Sequence, residues 1–283
     1  MEFHSKTAEI YIPDGLPQEA GLQRTTHLAV SAHQDDIEIM ASAPIIDCFQ
    51  QTDKWFTGVV LSDGRGSPRD GLYKDHSDEE MHLVRMKEQK KAAVVGEYAA
   101  QILLDYSSVE IKEGTDKRAV EDLAKILTAC QPNFVYTHNL ADKHDTHVST
   151  ALRVIAAIRS LPKQQRPEKL YGCEVWRNLD WMKDTDKVAF DLSTHENLQA
   201  ALLGVYDSQI SGGKRYDLAS IGRRKANATY FESHGLDTTQ GLSFGIDLTP
   251  LIDDDRLDIS SFVTRHIQNF AEDVENRIGR LIE

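Results

Sequence analysis

The sequence predicts an α/β fold of Rossmann-like type, with a mainly parallel sheet carrying helices on both faces and α/β additions on the C-terminal side. Three observations predict it. Short apolar runs of strand length recur through about the first 140 residues, each ends in a polar loop, and stretches of helical periodicity separate them. This alternation implies right-handed crossovers between parallel strands, with a site expected at the carboxyl ends of those strands.

HLAVSA (27–32) reads as the first strand, and a helix follows from about Pro44, with Ser42 as its cap and proline suited to the first turn. WFTGVVLSDG (55–64) is a second strand running into the loop SDGRGSPRDG. His82 to Val95 has helical spacing, and Gly96 supplies its stop. AAQILLDY (99–106) is a third strand, and residues 117–130, with Val120, Leu123, Ile126 and Leu127, form a helix. NFVYTHN (133–139) is a fourth strand, followed by the charged loop ADKHDTH and a helix to about Ser160.

Further on, LYGCEVW (170–176), VAFDLS (188–193) and LSFGIDL (242–248) read as strands, and HENLQAALLGVYDSQ (195–209) as a helix. Residues 259–282 form a terminal helix with Phe262, His266, Phe270, Val274 and Ile278 spaced for one face. No internal repeat or low-complexity linker divides the chain. A single domain over 1–283 is expected, with a core at about 26–165 and a pocket-completing region at about 166–283.

Lys and Arg total 32 against 45 Asp and Glu, a formal charge of −13. That balance argues against nucleic acid or an anionic membrane as the main partner and leaves room for a local basic pocket. The start lacks the apolar region of a signal peptide, and no stretch reaches the ~18 to 20 apolar residues of a membrane span, so a soluble cytoplasmic protein is expected. Cys48, Cys130 and Cys173 are too few and too scattered for a disulfide framework or a CxxC metal site, and read as small buried hydrophobes.

The chemistry concentrates in two loops. SAHQDDIEIM (31–40) places His33, Asp35, Asp36 and Glu38 directly after an apolar strand. Carboxylates so close repel one another and are costly to desolvate unless a cation or a proton-transfer task compensates. The loop THNLADKHDTH carries His138, Asp142, His144, Asp145 and His147 after another strand. Together the loops offer several combinations of two histidines and one carboxylate, the ligand type of a catalytic zinc that keeps a position open for water. Either loop alone would pass as a solvated surface turn.

AHQDDIE (32–38) resembles the A-H-P-D-D-x-E motif of the LmbE-like, or PIG-L, zinc-dependent N-deacetylases, and DKHDTH (142–147) resembles their D-x-H-x-D-H motif. SDGRG and RMKEQKKAAVVG (85–96) are similar to the family's glycine-containing loop and its R-x-x-E helix. Order and spacing agree over about residues 26–160. The resemblance implies that His33, Asp36 and His147 hold the metal, that Asp35 is the general base, and that His144 stabilises the oxyanion. It implies Zn2+ as cofactor, while a two-histidine, one-aspartate set also accommodates Fe2+, cobalt or manganese. It implies a small-molecule N-acetyl sugar conjugate as substrate, since relatives deacetylate N-acetylglucosamine carried on inositol, malate, lipid or peptide-antibiotic scaffolds. A homo-oligomer is compatible with it.

Several positions depart from the motif. Gln34 replaces a proline that would fix the turn, and Ser42 and Ala43 replace a glycine pair. Thr146 stands where an aspartate usually orients the oxyanion histidine, leaving Asp142 as the alternative partner for His144. Arg65 and Arg69 are candidate substrate contacts after the second strand, while Arg85 and Glu88 read as an ion pair three residues apart on a helix. Tyr171, Trp176, Trp181 and Tyr206 are candidates for the outer pocket wall or for core packing.

The leading expectation is a metal-dependent hydrolase that removes an N-acetyl group from an N-acetylglucosaminyl or related small conjugate. The alternative is a metal-retaining binding or regulatory homologue with little hydrolytic activity, admitted by Gln34 and Thr146. A nucleotide-binding Rossmann protein is disfavoured, because HQDDIE occupies the place of a phosphate-cradling glycine loop.

Overall fold

A computed structural model describes residues 1–282. Eight strands form one sheet: β1 (Glu9–Tyr11), β2 (His27–Ser31), β3 (Phe56–Ser62), β4 (Ala100–Tyr106), β5 (Phe134–His138), β6 (Lys169–Cys173), β7 (Val188–Asp191) and β8 (Leu242–Asp247). Their spatial order is β1-β4-β3-β2-β5-β6-β8-β7. The central five run parallel, while β1 joins β4 antiparallel, and β8 lies antiparallel to both β6 and β7.

The parallel strands are almost continuously apolar because both of their faces are covered. Along β2, Leu28 and Val30 enter one apolar cluster with Val59, Leu61, Ile102, Val154 and Ile158, while Ala29 enters the other with Ile37, Ile45, Val60 and Leu103. Alternate side chains thus serve opposite layers, as a pleated strand requires. From β2 the chain winds outward through β3 and β4, then crosses back to place β5 on the opposite side of β2. The crevice where winding reverses lies at the carboxyl ends of β2 and β5. Those two ends carry the two His/Asp loops.

Element boundaries differ from the sequence reading in instructive ways. The helix after β2 begins at once, as Asp36–Met40, breaks at Ala41 and resumes as Ser42–Cys48. The next long helix starts at Asp78, because Ser77 and Glu80 close a reciprocal capping box. The expected 195–209 helix is Glu196–Gly204 followed by a separate turn at Asp207–Ile210. Helix Tyr216–Tyr230 was not anticipated.

The terminal helix Ile259–Ile282 buries no residue fully. Phe262 packs on the core and Phe270 meets the Trp181 ring edge-on, but Ile267, Val274 and Ile278 remain exposed. All three cysteines are buried free thiols. Among the described residues, no helix is long and apolar enough to cross a membrane.

Candidate active site

The β2 strand ends at Ser31, and the chain must reverse before the Asp36–Met40 helix can start. It does so through Asp35, whose φ of 88° lies in the left-handed region that non-glycine residues rarely occupy. Such a conformation persists only where surroundings enforce it. Here the His33 N–H donates to Asp36 Oδ2 at 2.8 Å, the Ser31 hydroxyl donates to the His33 carbonyl, and the Asp35 N–H reaches Gln89 Oε1 at 3.3 Å. Gln34 supplies a further tie, donating from Nε2 to the Ser62 carbonyl at the end of β3. The turn that proline would stiffen is therefore held by a side-chain hydrogen bond.

Across the crevice, the loop after β5 brings His144, Thr146 and His147 to the start of helix Asp145–Ser160. Three side-chain atoms from the two loops converge. His33 Nδ1 lies 3.1 Å from Asp36 Oδ2, His147 Nε2 lies 3.2 Å from His33 Nδ1, and His147 Nε2 lies 3.3 Å from Asp36 Oδ2. Donor atoms of a tetrahedral site with bonds of about 2.0–2.1 Å stand about 3.3 Å apart, so the triangle fits a small divalent cation. Its two histidines and one carboxylate suit zinc and other first-row metals.

The surroundings prepare these atoms for that task. Asp142 Oδ2 faces His147 Nδ1 at 3.4 Å and accepts the Trp176 N–H, while Oδ1 accepts the Lys143 and His144 N–H groups. Holding the His147 proton on Nδ1 leaves Nε2 free toward Asp36. Burial alone would raise the Asp36 carboxyl, but the electrostatic influence of His147 and His138 and hydrogen bonds from His147 and His33 hold it well below the usual range. His138, Asp142 and His147 form a second close cluster. His138 Nε2, however, accepts the Ala32 N–H at 2.8 Å, so that lone pair is already used.

Asp35 points elsewhere. Its Oδ2 accepts from Arg85 Nη2 at 3.1 Å, and the same guanidinium nitrogen donates to the Gln34 carbonyl. Burial pushes the Asp35 carboxyl up to about 6 against the pull of Arg85. The pairing of Arg85 with Glu88 expected from their helical spacing is present at 3.5 Å. Glu88 is otherwise committed to the Ser208 N–H and hydroxyl. Sequence spacing found the local partner of Arg85 and missed the distant one.

His144 is stacked on His147, with ring centroids 4.6 Å apart, and lies beside Trp176 at 6.4 Å. Burial lowers its pKa, and the neighbouring His147 and His33 add to the effect. Its Nδ1 is buried without a hydrogen-bond partner. Among the described residues no hydrogen bond joins Thr146 to His144, and Asp142 contacts the His144 backbone rather than its ring.

All of this opens into a cavity of about 750 Å³, lined by His33, Asp35, Asp36, His144 and Thr146 on one side and by Trp176 and Tyr216 on another. Arg65 and Arg69 are absent from its lining. Arg65 is engaged by Asp63, Glu79 and Asp105, and Arg69 by Asp78 and two backbone carbonyls. Basic residues that do line it are Arg85, Lys112, Lys214, Arg215 and Arg223. Lys112 ends the short helix Ser108–Lys112, Lys214 and Arg215 lie in the turn before helix Tyr216–Tyr230, and Arg223 is on that helix, so sequence spacing alone does not bring them together.

Known proteins share both the sequence pattern and the architecture. The sequence profile of the family described as PIG-L: GlcNAc-PI de-N-acetylase matches residues 28–158. No curated protein matches the chain significantly. Among solved structures, GalB, the 4-carboxy-2-hydroxymuconate hydratase from Pseudomonas putida KT2440, is similar at a TM-score of 0.61 and 17% identity, covering 79% of this chain and 95% of that one. The N,N'-diacetylchitobiose deacetylase from Pyrococcus horikoshii is similar at 0.58 and 17% identity, over 78% of this chain and 83% of that one. The A40926 pseudoaglycone deacetylase Dbv21 gives 0.58 and 15% identity, over 79% and 97%. At these identities the structural likeness is one of fold, and a fold that includes a hydratase and deacetylases leaves the chemistry to be argued from the site.

Proposed function

We propose, for a chain that carries a PIG-L family domain over residues 28–158, a metal-dependent hydrolysis that removes the N-acetyl group from an N-acetylglucosaminyl or related small conjugate. The observation that carries this reading is the triangle of His33 Nδ1, Asp36 Oδ2 and His147 Nε2 beside a carboxyl group, that of Asp35, that takes no part in it.

Those three residues would hold the cation. A divalent ion held by them would supply a bound water with its pKa lowered toward ~7 and a Lewis acid for the acetyl carbonyl. Asp35, outside the ligand triangle, is placed to accept the proton of such a water and to give it to the departing amine nitrogen. A carboxyl group raised to about 6 is mostly ionised at pH 7 yet basic enough for that transfer. Arg85 keeps the carboxylate aimed and, through the Gln34 carbonyl, holds the turn that presents it. With its pKa lowered, His144 serves as a neutral hydrogen-bond donor toward the developing oxyanion. Trp176 and Tyr216 offer aromatic surface to a sugar ring.

The test pairs metal analysis with amine release from a panel of N-acetyl sugars, using wild type and Asp35→Asn. The expected result is equal metal content in both proteins and a loss of turnover of about 10² to 10⁴ in the variant. Undiminished amine release from Asp35→Asn would remove Asp35 from the mechanism, and no bound metal after metal-supplemented expression would remove the centre. A binding homologue without turnover is the second reading, favoured by the missing carboxylate partner of His144. Metal retention without amine release from any member of the panel would select it.

A further inference from the structure

The charges lining the cavity do not balance in the way the whole chain does. The protein carries a formal charge of −13, yet each carboxylate facing the cavity is already matched. Asp35 is paired with Arg85, Asp63 with Arg65, and Asp36 with His33 and His147. Arg215 is likewise tied to Asp217. Three lining cations have no carboxylate within 4 Å among the described residues: Lys112, Lys214 and Arg223, the last with the buried Glu174 at longer range.

Lys112 and Lys214 are exposed and Arg223 is half-buried, and each is brought to the cavity by a different segment. The Lys214 ammonium sits over the Trp176 ring, 4.5 Å from its centroid, and Tyr216 meets the same ring edge-on at 5.9 Å. Trp176 in turn neighbours His144, so Lys214 is one ring away from the histidine proposed to receive the oxyanion. Arg223, half-buried, donates through Nη1 to the Val175 carbonyl, which leaves its other nitrogens free toward the cavity side. Lys112 enters from the end of the short helix Ser108–Lys112. Three separate segments thus bring unmatched positive charge to one cavity in an acidic protein.

We infer that the outer part of this cavity is an anion subsite, formed by Lys112, Lys214 and Arg223, for a carboxylate or phosphate carried by the amino-sugar substrate. The inference rests on the deacetylase reading for the sugar and adds the acidic group. A guanidinium and two ammonium groups recognise either anion, with Arg supplying directional hydrogen bonds and Lys point charge. The subsite selects among conjugates while the histidine and aspartate loops act on the acetyl group.

The experiment is calorimetric titration of zinc-loaded Asp35→Asn, which blocks turnover, with N-acetylglucosamine, N-acetylglucosamine 1-phosphate and N-acetylmuramic acid. At least one acidic sugar is expected to bind tenfold or more tightly than the neutral one, with the preference falling as salt is added. The phosphate and carboxylate arms show which anion is read. Adding Arg223→Gln is expected to remove at least fivefold of the preference while leaving the neutral sugar's Kd unchanged, and Lys214→Gln is read for the preference alone, because Lys214 lies on the Trp176 ring offered to the sugar. Lys112→Gln, at an exposed position, gives the same reading without risk to folding. Equal or absent binding of all three sugars overturns the subsite, as does a preference that survives every charge removal. Amine release by the wild-type enzyme is measured separately: turnover without anion preference sinks only the subsite, and anion preference without turnover sinks only the deacetylase reading.

Discussion

Glu38 gives the sharpest prediction, because its hydrogen bonds indicate which protonation state the fold prefers. The side chain is fully buried, with Tyr98 Oη and Gln89 Nε2 donating to Oε1 at 2.7 and 3.0 Å, and Tyr206 Oη 2.6 Å from Oε2. Tyr206 Oη also lies 2.8 Å from Gln89 Oε1 and has one hydrogen for two acceptors. A protonated Glu38 resolves the conflict by donating to Tyr206, which then donates to Gln89. Burial accordingly pushes this carboxyl from 4.5 up to about 7. Between those values the unfolded chain has released the proton and the folded chain retains it, so stability is full below about 4.5 and falls as pH rises through about 7. At 1.36 kcal/mol per pH unit the loss is on the order of 3 kcal/mol. Glu38→Gln keeps the shape and an N–H donor for Tyr206 but cannot ionise. Urea unfolding of both proteins at pH 5 and pH 8 isolates the effect, since other titrating groups are common to them. Relative to wild type, the variant is expected to gain on the order of 3 kcal/mol between the two pH values. A difference flat to within about 0.5 kcal/mol would show that the hydrogen bonds offset burial and the carboxyl titrates normally.

Two further substitutions probe the scaffold of the site. Asp142→Asn replaces one carboxylate oxygen with a donor, and Oδ2 is the atom facing His147 Nδ1. Metal affinity, read by competition with a chelator, is expected to fall about 10- to 100-fold with the fold intact, and unchanged affinity would mean that Asp142 does not set the His147 tautomer. Gly64→Ala places a Cβ 2.7 Å from Gln34 Oε1 and 3.0 Å from Arg85 Cβ, at a φ of +71°. Destabilisation of about 1–3 kcal/mol is expected by urea unfolding, with kcat reduced more than KM because Gln34 and Arg85 both hold the turn that carries Asp35. A neutral outcome on both readouts would refute that coupling.

The parts of the molecule legible in the sequence are those whose physics is local. Strands β2 to β5 announce themselves because burial on both faces makes them nearly uninterrupted apolar runs, whereas half-buried, three-residue β1 has no such signature. The two loops are legible because histidines and aspartates cluster at strand ends. What holds those residues is not legible, since the partners are remote: Arg85 reaches back 50 positions to Asp35, and Tyr206 lies 168 positions from Glu38. Arg224, on a helix the periodicity did not reveal, donates to the Glu38 and Ile39 carbonyls and the Ser42 hydroxyl. The terminal helix shows the converse limit. Spacing placed Phe270, Val274 and Ile278 on one face, but it carries no information about what covers that face, and each remains substantially exposed.

Three carboxylates at the end of one strand are tolerable because each has a different kind of neighbour. Asp36 faces imidazoles and is held ionised, which suits a ligand. Asp35 is buried against a guanidinium and titrates at about 6, which suits a group that must take up and release a proton. Glu38 faces only hydroxyl and amide groups and stays protonated until about 7, which suits a structural donor. Charge repulsion within the motif is thereby reduced twice, once by protonation and once by distribution of the cations. The left-handed turn at Asp35 makes the separation geometric as well, sending adjacent carboxylates to opposite partners. On this account, exchanging the environments should matter more than exchanging the side chains. Removing Arg85 would act on Asp35 directly and on the ligand triangle of His33, Asp36 and His147 only through the turn, since none of the three ligand atoms is bonded to Arg85.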